Sequence, residues 1–241
     1  MLKVLKLEWY KLRRTKLILT ATLLPLLAVF QGRLFALSKE ETEPNLWGTM
    51  YTGTMSQYTW LLFPVLIAVV IAIMARMEHS SNSWKQLLSL PVKRESVYLS
   101  KLIISLFIIF YSVFVLIAGM VLAGISIKAN GPIPIEMVVK RPLISAIASL
   151  PIISLQFYLS YRFSHFGIPL AAGIGLSLPS MLVANSEKYW IFYPWTYPIV
   201  SGLTEMFGTD GKGPIMFAVC FVSFLLFILF GLHQFRKKDI F

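Results

Sequence analysis

Few side chains in this sequence could do bond chemistry, and their spacing keeps them apart. The single cysteine, Cys220, lies inside an apolar run. One thiol makes neither an intramolecular disulfide nor a cysteine-based zinc site. The three histidines, His79, His165 and His233, are far apart and fall near the ends of apolar runs. There they read as interfacial polar residues, so no metal site is assigned. The stretch Gly208-Thr-Asp-Gly-Lys212 lacks the spacing and the following hydroxyl of a phosphate-binding G-x-x-x-x-G-K-[ST] loop. No nucleophile–base pair is evident. The chain is therefore read as non-catalytic, with no metal or cofactor bound by its own residues.

Recognition is the more promising chemistry, and three segments carry it. Residues 76–95 read Arg-Met-Glu-His-Ser-Ser-Asn-Ser-Trp-Lys-Gln-Leu-Leu-Ser-Leu-Pro-Val-Lys-Arg-Glu. Ser81 or Asn82 can cap a short helix by accepting otherwise unpaired N–H groups. Trp84, Leu87 and Leu88 then share one face. Pro91 ends the helix, because the residue before proline disfavours helical angles. Glu78 can pair with Arg76 or Lys85. Such a short amphipathic helix either rests on lipid headgroups or docks a partner. Residues 185–203 hold aromatics at Tyr189, Trp190, Phe192, Tyr193, Trp195 and Tyr197, together with Pro194 and Pro198. This segment is too broken for a span and too apolar for a free loop. It reads as an interfacial or partly re-entrant piece, since amphipathic rings settle at the membrane surface. The third segment, with Pro169, Gly173, Gly175 and Pro179, predicts an interrupted helix that allows close packing or a kink, with a packing role preferred to gating.

The elements that position these segments follow from composition. The 241 residues are 57% hydrophobic and 14% charged, against about 25% charged in soluble domains. The apolar residues gather into runs long enough to cross a bilayer. The reading is an all-α polytopic membrane protein with six transmembrane helices, about 17–37, 59–75, 102–127, 142–161, 166–184 and 215–235. The length accommodates one membrane domain. The net charge of +11 does not indicate nucleic acid, because the basic residues cluster at the ends of apolar runs rather than on a polar folded face. Before the first span, Leu2, Leu5, Trp9 and Leu12 line one face of a segment that also carries Lys3, Lys6, Lys11, Arg13, Arg14 and Lys16. That pattern predicts an amphipathic helix lying at the interface. A cleaved leader is the competing reading of Leu17 to Phe30. It is set aside because cleavage would leave an odd number of spans.

Orientation follows from the cations. With both termini cytoplasmic, 15 of the 22 lysines and arginines fall inside, as the positive-inside bias expects. Lys140 and Arg141 fall outside, which the bias does not predict. The centres of the spans hold almost no ionisable groups, whereas ion-driven carriers keep some there. Energy for any transport would then come from a separate protein.

On these residues the chain resembles the ABC-2 type permeases, the six-span membrane subunits of many bacterial ATP-driven exporters. In that family the loop after the second span holds an acidic residue, a short helix ending in a Leu-x-x-x-Pro-x-x-Arg-like stretch, and a lysine opening the third span. Here Glu78, the segment Leu87-Leu-Ser-Leu-Pro91-Val-Lys-Arg94 and Lys101 occupy those places. The glycine usual between the acidic residue and the helix is replaced by Ser80 to Ser83. The Pro194-Trp-Thr-Tyr-Pro198 stretch most resembles permeases of lantibiotic-protection transporters.

The resemblance implies a single ABC-2 transmembrane domain over 1–241 in the bacterial plasma membrane. It implies a partner ABC ATPase that carries the ATP and Mg, docked through Glu78, Trp84, Leu87, Leu88, Pro91 and Arg94 of a cytoplasmic coupling helix. It also implies a second permease subunit, the same or related, and surrounding membrane lipid. The expected cargo is a lantibiotic or similar amphipathic peptide expelled for self-protection. Trp190, Tyr193, Trp195 and Tyr197 are its candidate contacts. The alternatives at this point are a bacitracin-type drug, sodium or a lipid-linked compound as cargo, or a membrane scaffold or intramembrane enzyme.

Overall fold

Within a bilayer every backbone N–H and C=O must find a partner inside the protein, and a helix does this segment by segment. The computed structural model describes residues 5, 9–10, 12, 15–39, 45–80, 94–163, 165–209 and 211–237, and all regular structure among them is helical. Helix α1 spans Leu17–Ser38. Helix α2, Leu46–Gln57, runs through a π-turn at Tyr58–Leu62 into α3, Phe63–Ser80. Helix α4 is Arg94–Ser126. A second π-turn, Glu136–Lys140, leads into α5, Arg141–Ala148, followed by α6, Leu150–Arg162. Helices α7, Gly167–Ser177, and α8, Ser180–Ala184, flank a break. Two 3-10 turns, Trp190–Phe192 and Pro194–Thr196, then precede α9, Tyr197–Gly202, and α10, Gly213–Lys237. Among the described residues five helices are long and apolar enough to cross a membrane, and six when the pair Glu136–Ala148 and Leu150–Arg162, bent by 42°, counts as one span.

The interruptions have a common cause. Each π-turn stops two residues before a proline: Leu62 before Pro64, Lys140 before Pro142. Proline has no N–H to give the carbonyl four residues back, and the backbone widens by one residue to re-pair: Phe63 N–H bonds Tyr58 O, and Arg141 N–H bonds Glu136 O. The 42° bend falls at Ser149, just ahead of Pro151.

Two helices begin earlier than the hydropathy pattern predicts. The second span starts at Leu46 rather than about residue 59. Its first half, Leu-Trp-Gly-Thr-Met-Tyr-Thr-Gly-Thr-Met-Ser-Gln, is too polar on average to read as membrane. However, Trp47, Met50, Tyr51, Thr54, Met55 and Tyr58 form one buried stripe at helical spacing. Asn45 caps it, its Oδ1 accepting from Gly48 N–H at 3.0 Å. Helix α4 begins at Arg94 rather than about 102, and its 33 residues span roughly 50 Å at 1.5 Å per residue. That exceeds a hydrocarbon core of about 30 Å, so part of α4 stands outside it.

Glycines let α1 and α2 cross closely. A Cβ on Gly32 would overlap Thr54 Oγ1 and stand 2.7 Å from Met50 O; one on Gly53 would lie 2.9 Å from the Phe35 ring. Helices α1 and α4 run parallel: Thr22 Oγ1 lies 3.2 Å from Tyr111 Oη, and Val29 packs over Gly119. Ahead of α1, the described residues Leu5, Trp9, Tyr10 and Leu12 are helical. Trp9 meets Phe107 edge-on at 5.3 Å, so the predicted amphipathic helix lies against α4. At the far end of the chain, Phe235 packs on Tyr98 near the start of α4. The described residues nearest the two chain ends, Trp9 and Phe235, therefore lie toward the end of the bundle where α3 stops and α4 begins, here termed the terminal end.

Gly32→Ala should lower the thermal midpoint of the detergent-purified chain, with an overpacking cost of about 1–3 kcal/mol. Gly175→Ala, where an added Cβ meets nothing within 4 Å, should not. Equal midpoints for the two variants would contradict the close crossing.

Candidate functional site

The expected docking segment is held by two helix ends. Glu78 lies in the last turn of α3 and Arg94 opens α4. The side chains of both, and residues 81–93 with Trp84, Leu87, Leu88 and Pro91, lie outside the described structure. What anchors the segment is described. One turn into α4, Tyr98 is wedged between α6 and α10. Its ring lies 5.0 Å from Phe157, 5.5 Å from Phe235 and 6.5 Å from Tyr161. Gly231 makes the space: a Cβ there would overlap the Tyr98 hydroxyl. On α3, the Arg76 guanidinium sits 5.3 Å above the Phe166 ring, and Ser105 Oγ of α4 donates to Met74 Sδ at 3.3 Å. Lys101, expected to open the third span, is buried at 1% exposure inside α4.

The opposite end carries the aromatic segment. The structure corrects the expected orientation of its rings. Trp190, Trp195 and Tyr197 are buried at 2%, 3% and 1% exposure, whereas Tyr189 and Phe192 stand out at 69% and 80%. The reason is a network of inward hydrogen bonds that the sequence pattern does not display. Tyr197 Oη donates to Ile191 O at 2.6 Å. Thr196 Oγ1 lies 2.6 Å from Trp190 O and 2.7 Å from Tyr193 O. Tyr193 Oη donates to Leu176 O. Burial pushes the Tyr197 hydroxyl up to about 12 and raises that of Tyr193 above its ordinary value, so both remain protonated donors at neutral pH.

The Tyr193 bond is one of several that close the break between α7 and α8. The carbonyls around that break have lost helical partners, since α7 stops at Ser177 and Pro179 lacks an N–H. Side chains take them over. Ser177 Oγ donates to Ile174 O at 2.7 Å, Ser180 Oγ to Ser177 O at 2.6 Å, and Trp60 Nε1 from the first π-turn to Leu178 O at 3.3 Å. Cys220 does the same at the other bend. Its thiol lies 3.4 Å from Ile147 O, the carbonyl four residues before Pro151. The lone cysteine is thus a helix-packing donor, and no group of three or more His, Cys, Asp or Glu able to hold a metal occurs among the described residues.

The cations that defied the charge count at this end are neutralised. Lys140 Nζ meets Glu136 Oε2 at 2.7 Å, and Arg141 Nη1 meets Glu205 Oε1 at 3.0 Å. Arg141 also lies 5.9 Å from the Tyr51 ring centre, and Tyr51 donates its hydroxyl to Gly202 O. Trp60, Tyr98, Cys220 and the Arg141–Glu205 pair were not legible as site residues, because each acts on a group far away in sequence. The nearest signal was proline spacing, which marks where orphaned carbonyls will need donors.

Together these features tie each end of the bundle across its helices and leave interrupted spans between them. A family model described as ABC-2 family transporter protein matches residues 4–180, well over half of the chain. It includes the segment between α3 and α4 and stops before the aromatic segment. No curated protein matches.

Removing both aromatic donors at the break, Trp60→Phe with Tyr193→Phe, should cost about 1–3 kcal/mol for carbonyls left unpaired. The readout is a lower thermal midpoint. Tyr189→Phe, at an exposed ring, should leave it unchanged. A double variant as stable as the parent would show that the break is closed by other means.

Proposed function

The chain belongs to the ABC-2 family of transporter proteins and is a transmembrane permease that works with an ABC ATPase; on that premise we propose that it expels a membrane-bound amphipathic peptide, a lantibiotic by preference, from the bacterial plasma membrane. ATP is hydrolysed on the partner. This chain supplies the path and the mechanical connection, paired with a second permease subunit, alike or related. Both termini and the segment 81–93 face the cytoplasm, in keeping with the lysine and arginine count.

The observation that carries the coupling half of this reading is the Tyr98 wedge. A docked ATPase can move the membrane domain only through a contact stiff enough to transmit displacement. Helix α4 begins at the docking segment and within a turn is locked to α6 and α10 by three ring contacts. Trp84 is the proposed anchor, because aromatic residues dominate interface energies. Leu87, Leu88 and Pro91 shape the docking helix, and Glu78 and Arg94 bracket it.

The substrate half rests on the opposite end. Tyr189 and Phe192 are the exposed rings of a segment whose other aromatics, Trp190, Tyr193, Trp195 and Tyr197, hold it in place. Amphipathic peptides rest at the depth such rings favour. The exposed apolar side chains of α8 and α10, among them Leu182, Phe221 and Leu229, give a lateral rather than aqueous approach.

Expression with the cognate ATPase in a sensitive strain should raise tolerance to one lantibiotic. Tyr189→Ala with Phe192→Ala should remove the gain at unchanged protein level. Trp84→Ala should remove it by weakening ATPase co-purification. If no member of a lantibiotic panel is tolerated better while another exported compound stimulates hydrolysis, the permease assignment stands and the substrate assignment fails.

A further inference from the structure

At the terminal end, α4, α6 and α10 enclose a cavity of about 260 Å³, lined by Tyr98, Tyr158, Arg162, Gly231 and Gln234 together with Tyr161 and Phe235. Its size falls just below the range of drug-sized pockets, about 300–1,000 Å³, and suits a headgroup rather than a whole lipid. Its chemistry is one of donors: a guanidinium, a carboxamide and phenols, with no carboxylate in the lining. Among the described residues Arg162 makes no ion pair. Tyr98 is 2% exposed, and its hydroxyl has no hydrogen-bond partner there. A buried polar group without a partner carries a desolvation cost. Trp47 Nε1, Thr54 Oγ1, Ser160 Oγ and Trp195 Nε1 are in the same state, but none of those residues lines this cavity, and Tyr98 does.

We propose that this cavity binds the phosphate of an anionic phospholipid headgroup from the leaflet at the terminal end. A guanidinium pairs with phosphate oxygens through two parallel N–H donors, and Gln234 and the phenols supply the remaining hydrogen bonds. Basic pockets between spans at a membrane surface favour anionic headgroups for the same reason. The sequence continues from Gln234 and Phe235 into Arg236, Lys237 and Lys238. Gly231 is part of the construction: a Cβ there would overlap the Tyr98 hydroxyl and stand 3.6 Å from the Tyr158 ring, narrowing the space between them. The site does not depend on which substrate the permease exports, nor on the ATPase.

Native mass spectrometry of the detergent-purified full chain tests this with three probes: phosphatidylglycerol, phosphatidylcholine and inorganic phosphate. Phosphatidylglycerol should be retained as a discrete one-to-one adduct, in preference to phosphatidylcholine. Arg162→Gln should weaken that adduct by about tenfold or more, the loss expected for a charge-assisted hydrogen bond. Tyr98→Phe, which keeps the ring packing, should weaken it by a smaller factor. Lys16→Gln, at an exposed cation outside the cavity, should leave it unchanged. Equal retention of the two lipids, or undiminished binding by Arg162→Gln and Tyr98→Phe alike, would overturn the proposal. Inorganic phosphate displacing the adduct at equal concentration would overturn the lipid as the source of the anion.

Discussion

A carbonyl without a partner has no water to turn to inside a bilayer, and this constraint organises the molecule wherever proline interrupts a span. Pro64 and Pro142 are absorbed by π-turns that re-pair the backbone locally. Pro151 and Pro179 are not, and their breaks draw donors from elsewhere. Cys220 comes from α10 to Ile147 O, Trp60 from the first π-turn to Leu178 O, and Tyr193 from the aromatic segment to Leu176 O. Those donors tie the aromatic segment, the α2–α3 helix and α10 to the two bends. Helices interrupted in this way can change their bend by exchanging hydrogen bonds rather than by breaking core packing.

The terminal end is built on the opposite principle. There the contacts are rings against rings around Tyr98, with Gly231 shaped to receive the phenol. These ring contacts fix the start of α4 against α6 and α10, beside the cavity that Tyr98, Tyr161 and Phe235 also line. Under the proposed function, a stiff end next to the ATPase and adjustable bends within the spans divide the work. Force enters at the start of α4, and the bends at Ser149 and Leu178 give the path its freedom to open.

Much of the architecture was legible because hydropathy is a strong signal over twenty residues. The spans near 17–37, 102–127, 166–184 and 215–235 lie within or close to helices of the structure. The amphipathic face of Leu5, Trp9 and Leu12 was legible from its spacing alone. The first half of the second span was missed because its buried stripe alternates with Gly, Thr and Ser, so that average hydropathy hides a face that periodicity would show. The directions of Trp190 and Trp195 were not legible because ring type sets interfacial preference but not which way a ring points. That direction depends on the hydroxyls of Thr196 and Tyr197 reaching carbonyls nearby. The partners of Lys140 and Arg141 divide in the same way. Glu136 is one helical turn away from Lys140 and could have been paired with it from sequence, whereas Glu205 comes to Arg141 only through the fold.

The most direct measurement of the central claim is ATP hydrolysis by the partner ATPase in lipid nanodiscs, with and without this chain. The account predicts that the chain, present at equal stoichiometry, raises hydrolysis, that exported peptide raises it further, and that Tyr98→Ala keeps the ATPase bound while removing the peptide-dependent part. Hydrolysis that is indifferent to the chain, from an ATPase that does not associate with it, would contradict the claim that the chain couples ATP turnover to the membrane.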